Sequence, residues 1–347
     1  MSRHRRAERR GAERPGAERR RVPRLAPTLL LFGCSPLPVL SGASEAAHRT
    51  AQLGWLMLIL AGIVFLIVLV VLGLALRRNR RRDPAAVDLS EPGSRFVVTG
   101  GIVFPGLVLT GLFVYGTATL GIFPEREKPA YTVEVVGRQW WWEIRYLDPE
   151  LPNRFVTANE LHVPVGRPVR VLLTSADVIH SFWVPELQGK LDLIPGDTNV
   201  LSLKAERAGV YQGRCAEYCG LQHAHMGLQI VADEPAAFGR WLAAQREPAP
   251  APTDSLAALG QQLFVTGPCA LCHTVRGTPA HGSVAPDLTH FGSRRTIAAG
   301  VLPNSLGPLE GWIANAQAIK PGALMPPITQ FTGRELRAVA TYVAGLK

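Results

Sequence analysis

Apolar positions along the chain fall into three regimes. Residues 53–76 form an unbroken run of 24 residues without a charge, long enough as a helix to cross a hydrocarbon core of about 30 Å. A second uncharged stretch covers residues 96–123, and Pro105 with several glycines predicts a kink in it, since neighbouring helices can re-satisfy the backbone groups a proline frees. From residue 131 to 233 the pattern shortens to β-rich runs, at 131–136, 141–146, 169–173, 200–204 and 228–231, with Gly, Pro and Asp between them. Several alternate in polarity as half-buried strands do, and about 100 residues of this predict a sandwich or barrel. Residues 234–245 read as helix, and Pro248-Ala249-Pro250-Ala251-Pro252 follows as a stiff, extended tether. Residues 253–347 form a small separate domain, helical at both ends (255–264 and 333–345) with a Gly/Pro-rich middle.

Charge sharpens this picture. The 347-residue chain carries a formal net charge of +10, which by itself invites a nucleic-acid reading. Its location argues otherwise. Residues 1–24 hold ten Arg and three Glu, and residues 77–95 hold six Arg against Asp83, Asp88 and Glu91; the remainder balances. A duplex-binding protein needs its basic side chains on the folded surface that meets phosphate. Here they flank apolar stretches, so nucleic acid is not an expected partner. Arg77, Arg78, Arg80, Arg81 and Arg82 directly follow the first span. They predict a cytoplasmic loop between two spans, with everything past Glu125 outside. The basic start, the apolar run 25–33 and Leu31-Phe32-Gly33-Cys34 resemble a lipobox, in which a bacterial signal peptide is cut before a lipid-modified Cys. An ordinary signal peptide cut elsewhere, or a mis-set start codon, is the alternative. The expected plan is a signal segment 1–33, a transmembrane hairpin 34–124, a β domain 125–235, a helix and linker 236–254, and a final domain 255–347.

Five cysteines (Cys34, Cys215, Cys219, Cys269 and Cys272) are too sparse and odd in number for a disulfide framework. Cys215, Cys219, His223 and Met226 lie within twelve residues, and His180 stands upstream in a His-Ser-Phe-Trp-Val-Pro run. Thiolate, imidazole and thioether together suit copper. A blue-copper site would use one Cys; two Cys can bridge two coppers, each with one His and one weaker ligand. A simple disulfide, a core role for His180, and a structural zinc stay open, although zinc would not need Met226.

The Cys, x3, Cys, x3, His, x2, Met spacing of Cys215, Cys219, His223 and Met226, with His180 upstream, resembles the binuclear copper (CuA) domain of cytochrome c oxidase subunit II. The likeness covers residues 45–235. It implies a cupredoxin-like Greek-key β-barrel behind the two-helix hairpin, and it selects His223 over His225. It also implies that the Glu217 carbonyl is a copper ligand and that the Glu217 carboxylate reaches a magnesium ion at the interface with subunit I. Gln139-Trp140-Trp141-Trp142-Glu143 resembles the family's aromatic patch, where the first Trp, here Trp140, receives the electron from cytochrome c. An aromatic triplet in a strand is otherwise mostly core packing.

Cys269-Ala-Leu-Cys272-His273 is the attachment signature for c-type haem: two thiols add to the vinyl groups and His273 lies under the iron. A thioredoxin-like pair would want a βαβ context and no following His. Of the four methionines, Met1 is the start, Met57 is in a span and Met226 serves copper, which leaves Met325 as second axial ligand; His281 and His290 are the alternatives. Residues 255–347 resemble an all-α class I cytochrome c domain, with Ala285-Pro286-Asp287-Leu288-Thr289 as the haem-cradling loop. Together, the two likenesses imply a multidomain membrane protein similar to the caa-type oxidases of aerobic bacteria. The implied role is electron input: the fused haem takes electrons from cytochrome c or a membrane cytochrome complex and passes them to CuA. From there they go to oxidase subunit I, where oxygen becomes water and protons are pumped. Other oxidase subunits, and a place in the bacterial cell membrane with both redox domains on the outer face, are part of that expectation. A CuA-containing nitric oxide reductase subunit and a non-catalytic copper or haem scaffold are the alternatives. Docking of the haem domain at the Trp140 patch is a further expectation.

Overall fold

A computed structural model describes residues 39–79, 93–120, 128–147 and 154–347. The lipobox with Cys34 and the arginines at 80–82 lie outside the described residues. The first helix, α1 (Glu45–Asn79), starts well before the apolar run that predicts it. Its leading turns are docking structure: Ala43, Ala47 and Ala51 are buried. Ala43 donates its N–H to Glu186 O at 2.8 Å and accepts from Glu206 N at 2.9 Å, so the helix is joined to the β domain before it becomes apolar. The second span is α2 (Gly93–Val98), a π-helical turn (Thr99–Val103) and α3 (Phe104–Leu120). The predicted kink takes the form of that π turn, in which the Phe104 N–H reaches back to Thr99 O. Pro105 supplies no N–H of its own, and a one-residue slip upstream accommodates it. Both helices are long and apolar enough to cross a membrane, with mean hydropathy 3.3 over the most apolar 18 residues of Glu45–Arg78 and 2.1 over those of Gly93–Thr119. Their most apolar windows are not buried at all, unlike those of soluble core helices.

The β domain has ten strands: β1 (Tyr131–Arg138), β2 (Trp141–Tyr146), β3 (Phe155–Ala158), β4 (Glu160–Pro164), β5 (Val169–Ser175), β6 (His180–Val184), β7 (Gln188–Leu193), β8 (Asn199–Leu203), β9 (Gly209–Cys215) and β10 (Gly227–Asp233). They form two five-stranded sheets, ordered β3-β2-β1-β5-β8 and β4-β10-β9-β6-β7. Each sheet contains one parallel seam, β1 with β5 and β4 with β10, so the chain crosses between sheets instead of running as a meander. The inner faces close over Trp142, Ile144, Leu161, Leu173, Phe182 and Leu193, all below 2% exposed, each worth roughly 1.5–3 kcal/mol of burial. All five predicted runs are strands. β3, β4, β6, β7 and β9 are additional.

Helix α4 (Pro235–Ala244) caps the barrel edge through Phe238 and Leu242, and its Trp241 ring stacks on His162 with centroids 4.0 Å apart. The proline-rich segment beyond it is held in place and is not a free tether. Glu247 O accepts from His290 Nε2 at 3.0 Å, Ala249 N donates to Arg276 O at 2.9 Å, and the Arg276 guanidinium donates to Gln245 O at 2.6 Å. The last domain comprises α5 (Ser255–Thr266), α6 (Cys269–Cys272), a two-residue ribbon β11 (Thr296–Ile297) with β12 (Leu302–Pro303), α7 (Leu306–Ala314), α8 (Ala316–Ile319) and α9 (Gly333–Gly345). Asp254 caps α5 by accepting from Ala257 N, and Thr332 with Glu335 forms a capping box at the start of α9. The terminal helices cross where Gly260 meets Ala338; a Cβ on Gly260 would lie 2.0 Å from Ala338 O.

Candidate redox centres

Two neighbouring strands and one loop build the first centre. His180 opens β6 and Cys215 ends β9, strands that pair with Phe182 opposite Cys215. The loop between β9 and β10 brings Cys219, His223 and Met226 back over them. It is tied down by Ala216 N to Ser181 O at 3.0 Å and Cys215 N to Met226 O at 3.0 Å. The two thiol sulfurs stand 3.8 Å apart, far beyond the roughly 2.0 Å of a disulfide. His180 Nδ1 lies 3.9 Å from Cys215 Sγ, His223 Nδ1 3.7 Å from Cys219 Sγ, and Met226 Sδ 3.8 Å from Cys219 Sγ. The Glu217 carbonyl is 3.1 Å from Cys215 Sγ. His180, Cys215 and Cys219 are buried, with ligand atoms all within 4.8 Å of one another. His225 turns outward, its Nδ1 on Gln222 Oε1 at 2.7 Å.

Electrostatics in the cluster follow from its closeness. The Cys215 thiol is held far below its ordinary value, chiefly by the hydrogen bond from Cys219, and then by His180 and backbone N–H groups. Cys219 is pushed up by the same bond, since one proton serves both sulfurs, and by burial. Burial pulls His180 down, but its bonds to Cys215 and Asp177 outweigh this and its pKa is raised. Asp177 joins this cluster although sequence reasoning did not single it out. Its Oδ1 sits 2.8 Å from His180 Nε2 and its Oδ2 accepts from Gln139 N at 2.7 Å. With Nε2 protonated and facing this carboxylate, Nδ1 is left to face the sulfurs, the usual second-layer arrangement for a ligating histidine. The available signal was the Asp-x-x-His spacing. Gly137 is needed behind the ring: a Cβ there would come 2.6 Å from His180 Cδ2.

The tryptophan triplet divides three ways. Trp142 is fully buried core, and Trp141 faces the Arg138 guanidinium at 5.8 Å. Trp140 lies on the ligand loop, its Nε1 donating to Cys219 O at 3.0 Å beside Gln139 Nε2 on the same oxygen at 2.7 Å. The Glu217 carboxylate is partly exposed, with Lys190 Nζ 3.9 Å away.

In the helical domain Cys269 and Cys272 are free thiols on the single turn α6. His273 follows in extended conformation, and its Nδ1 donates to Pro286 O at 2.8 Å. Burial lowers its pKa against the opposing Pro286 bond, so the ring is neutral and Nε2 is left for a metal. Gly282 packs against this turn so closely that a Cβ would fall 2.4 Å from the Cys272 carbonyl carbon. Met325 is partly buried against the domain core, its carbonyl accepting from Gln317 Nε2 at 3.0 Å. His290 is buried and committed to the linker, and His281 is exposed. Leu271 and Leu324, beside the thiols and Met325, are 77% and 80% exposed, an uncovered apolar rim fitting a hydrophobic macrocycle.

Comparison with known proteins places both domains. The family described as cytochrome C oxidase subunit II, periplasmic domain, matches residues 150–233, and the cytochrome c family matches residues 257–347. The chain is 32% identical over 333 residues to cytochrome c oxidase subunit 2 of Alkalihalophilus pseudofirmus, covering 92% of this chain and 94% of that one. Against the same subunit of Bacillus subtilis it is 29% identical, covering 92% and 95%. Among solved structures, the periplasmic domain of subunit II of cytochrome oxidase of Bradyrhizobium japonicum is 34% identical over 34% of this chain and 94% of that chain, with a TM-score of 0.32.

Proposed function

The chain belongs to the cytochrome c oxidase subunit II family, in the form carrying a C-terminal cytochrome c domain, and from that premise we propose how its residues hold and connect two redox centres. Electron input to a haem-copper oxidase is the function of this subunit. In our reading His180, Cys215, Cys219, His223, Met226 and the Glu217 carbonyl would hold two coppers. Cys269 and Cys272 would carry a covalently attached haem, with His273 and Met325 as the side chains offered to its iron. When bound, each group would take up and give up one electron.

The chain supplies what surrounds them. Asp177 and the Pro286 carbonyl set the tautomers of His180 and His273. Trp140, bonded to the Cys219 carbonyl, is the residue that receives the electron for the copper loop. The Glu217 carboxylate is left for magnesium shared with subunit I, the partner that receives the electron for oxygen reduction and proton pumping. Cytochrome c or a membrane cytochrome complex is the donor. The two helices anchor the subunit in the bacterial cell membrane with both redox domains outside, residues 1–33 being a signal segment and Cys34 a lipid site.

One observation carries this reading: five soft side-chain donors converge on one buried point with both thiols unpaired. The test is metal counting with stopped-flow reduction of the assembled oxidase. Two coppers and one pyridine-haemochrome haem per chain are expected, and His223→Ala or Met226→Leu should block copper reduction while leaving haem reduction intact. Unimpaired copper reduction in those variants would overturn the assignment.

A further inference from the structure

Lys320 is 3% exposed, an unusual place for an ammonium with no carboxylate partner among the described residues. Its Nζ donates to three backbone carbonyls: Trp140 O at 2.6 Å, His225 O at 2.8 Å and Ala298 O at 3.2 Å. Two of these belong to the barrel and one to the cytochrome domain, so all three ammonium protons are spent on a seam between domains. The neighbouring contacts run along the same seam. Gln222 Nε2 donates to Pro321 O at 2.8 Å, and Gly227 N, directly after Met226, donates to Ala299 O at 2.9 Å.

The Trp140 indole is half-buried there, with a glycine close to it on each loop. A Cβ on Gly220 would lie 3.2 Å from Trp140 Cζ2, and one on Gly322 would lie 3.3 Å from Cη2. Gly322 has φ +87°, a left-handed conformation that lets its backbone lie flat on the ring. On the facing loop Ala298 and Ala299 both adopt positive φ, 56° and 60°, which costs non-glycine residues on the order of 1 kcal/mol each and marks a conformation imposed by its surroundings.

We infer that Lys320 is a positioning residue that clamps the cytochrome domain onto the copper loop and holds it against Trp140. The inference rests on Trp140 being the receiving residue, as proposed above. It adds the side chain that holds the cytochrome domain at that patch. Removing the ammonium leaves three carbonyls facing an apolar chain and weakens the dock, while every proposed copper and haem ligand stays in place.

The experiment compares the assembled wild-type oxidase with Lys320→Met and, because a buried substitution can fail to fold, with Gly322→Ala, which adds a methyl against the indole without altering charge. Copper content, haem content and the haem spectrum establish that each variant is loaded. Hydroxyl-radical labelling read by mass spectrometry then reports the exposure of Trp140, with Trp141, half-buried beside Arg138, as internal reference. Stopped-flow reduction reports haem-to-copper transfer. At least one loaded variant should show greater Trp140 labelling relative to Trp141 and transfer slowed by about tenfold, the equivalent of roughly 1.4 kcal/mol of lost docking. Unchanged Trp140 labelling in loaded variants overturns the clamp, whether or not transfer slows. Raised labelling with unchanged transfer also overturns it. The underlying reading fails separately, if Trp140→Phe in the otherwise wild-type chain leaves transfer unaltered.

Discussion

Replacing Asp177 by Asn tests whether the first centre is a metal site prepared by its surroundings. The carboxylate accepts three bonds: from His180 Nε2 at 2.8 Å, from Val178 N at 2.7 Å and from Gln139 N at 2.7 Å. An amide retains one acceptor oxygen, so either the imidazole or the Gln139 N–H must face an NH2 group. The bond to His180 also loses its charge assistance, halving a contribution of about 1.5–3 kcal/mol. Loss of such an outer partner costs roughly 10–100-fold in metal affinity. Asp177 is 30% exposed, so global stability should fall by no more than about 1 kcal/mol. Competitive titration with a copper chelator, alongside thermal melting of the apo form, separates the two effects. Copper affinity within twofold of wild type in Asp177→Asn would refute the argument that this carboxylate fixes the ligand ring.

Three further substitutions probe other positions. Gly137→Ala should displace His180, whose ring carbon would lie 2.6 Å from the new methyl, and lower copper occupancy with the barrel still folded by circular dichroism. Gly282→Ala should prevent covalent haem attachment, because the methyl would sit 2.4 Å from the Cys272 carbonyl carbon; haem-stained gels read the outcome. His162, between Glu160 at 3.0 Å and Asp233 at 2.7 Å, has its pKa raised above 6.5 because those bonds outweigh burial. A raised histidine stabilises fully below its unfolded value and loses that contribution as pH rises through the folded one. Melting temperature should therefore decline above about pH 6.5, and His162→Gln should flatten that decline.

Much of the chemistry was legible because it is local. Four of the five side-chain donors of the proposed copper site lie between Cys215 and Met226, and the proposed haem motif is one helical turn plus His273, so spacing alone brings them together. Strands were legible in β5 and β8, whose burial alternates, whereas β9 alternates too but went unread because its two glycines break the apolar pattern. Strands were also not legible in β4 or β6, buried on both faces nearly throughout, nor in β7, which is mostly exposed. The docking turns ahead of the first span went unread because small alanines carry little hydropathy signal, although they pack closely. Lys320 could not be read at all. A lysine in a Gly/Pro-rich loop looks solvated, and only the three-dimensional meeting of residues 140, 225, 298 and 320 makes it buried.

The pairing of β6 with β9 has a consequence in time as well as in space. It brings His180 to Cys215 across 35 residues, and such pairings form late because a long loop must be closed before they return any free energy. Met226 is set beside Cys215 by the local hairpin of β9 with β10, so His180 is the last proposed copper ligand to arrive. A nascent chain would thus hold an incomplete, lower-affinity donor set until the barrel shuts, and completion of the fold and of the metal site would be a single kinetic event.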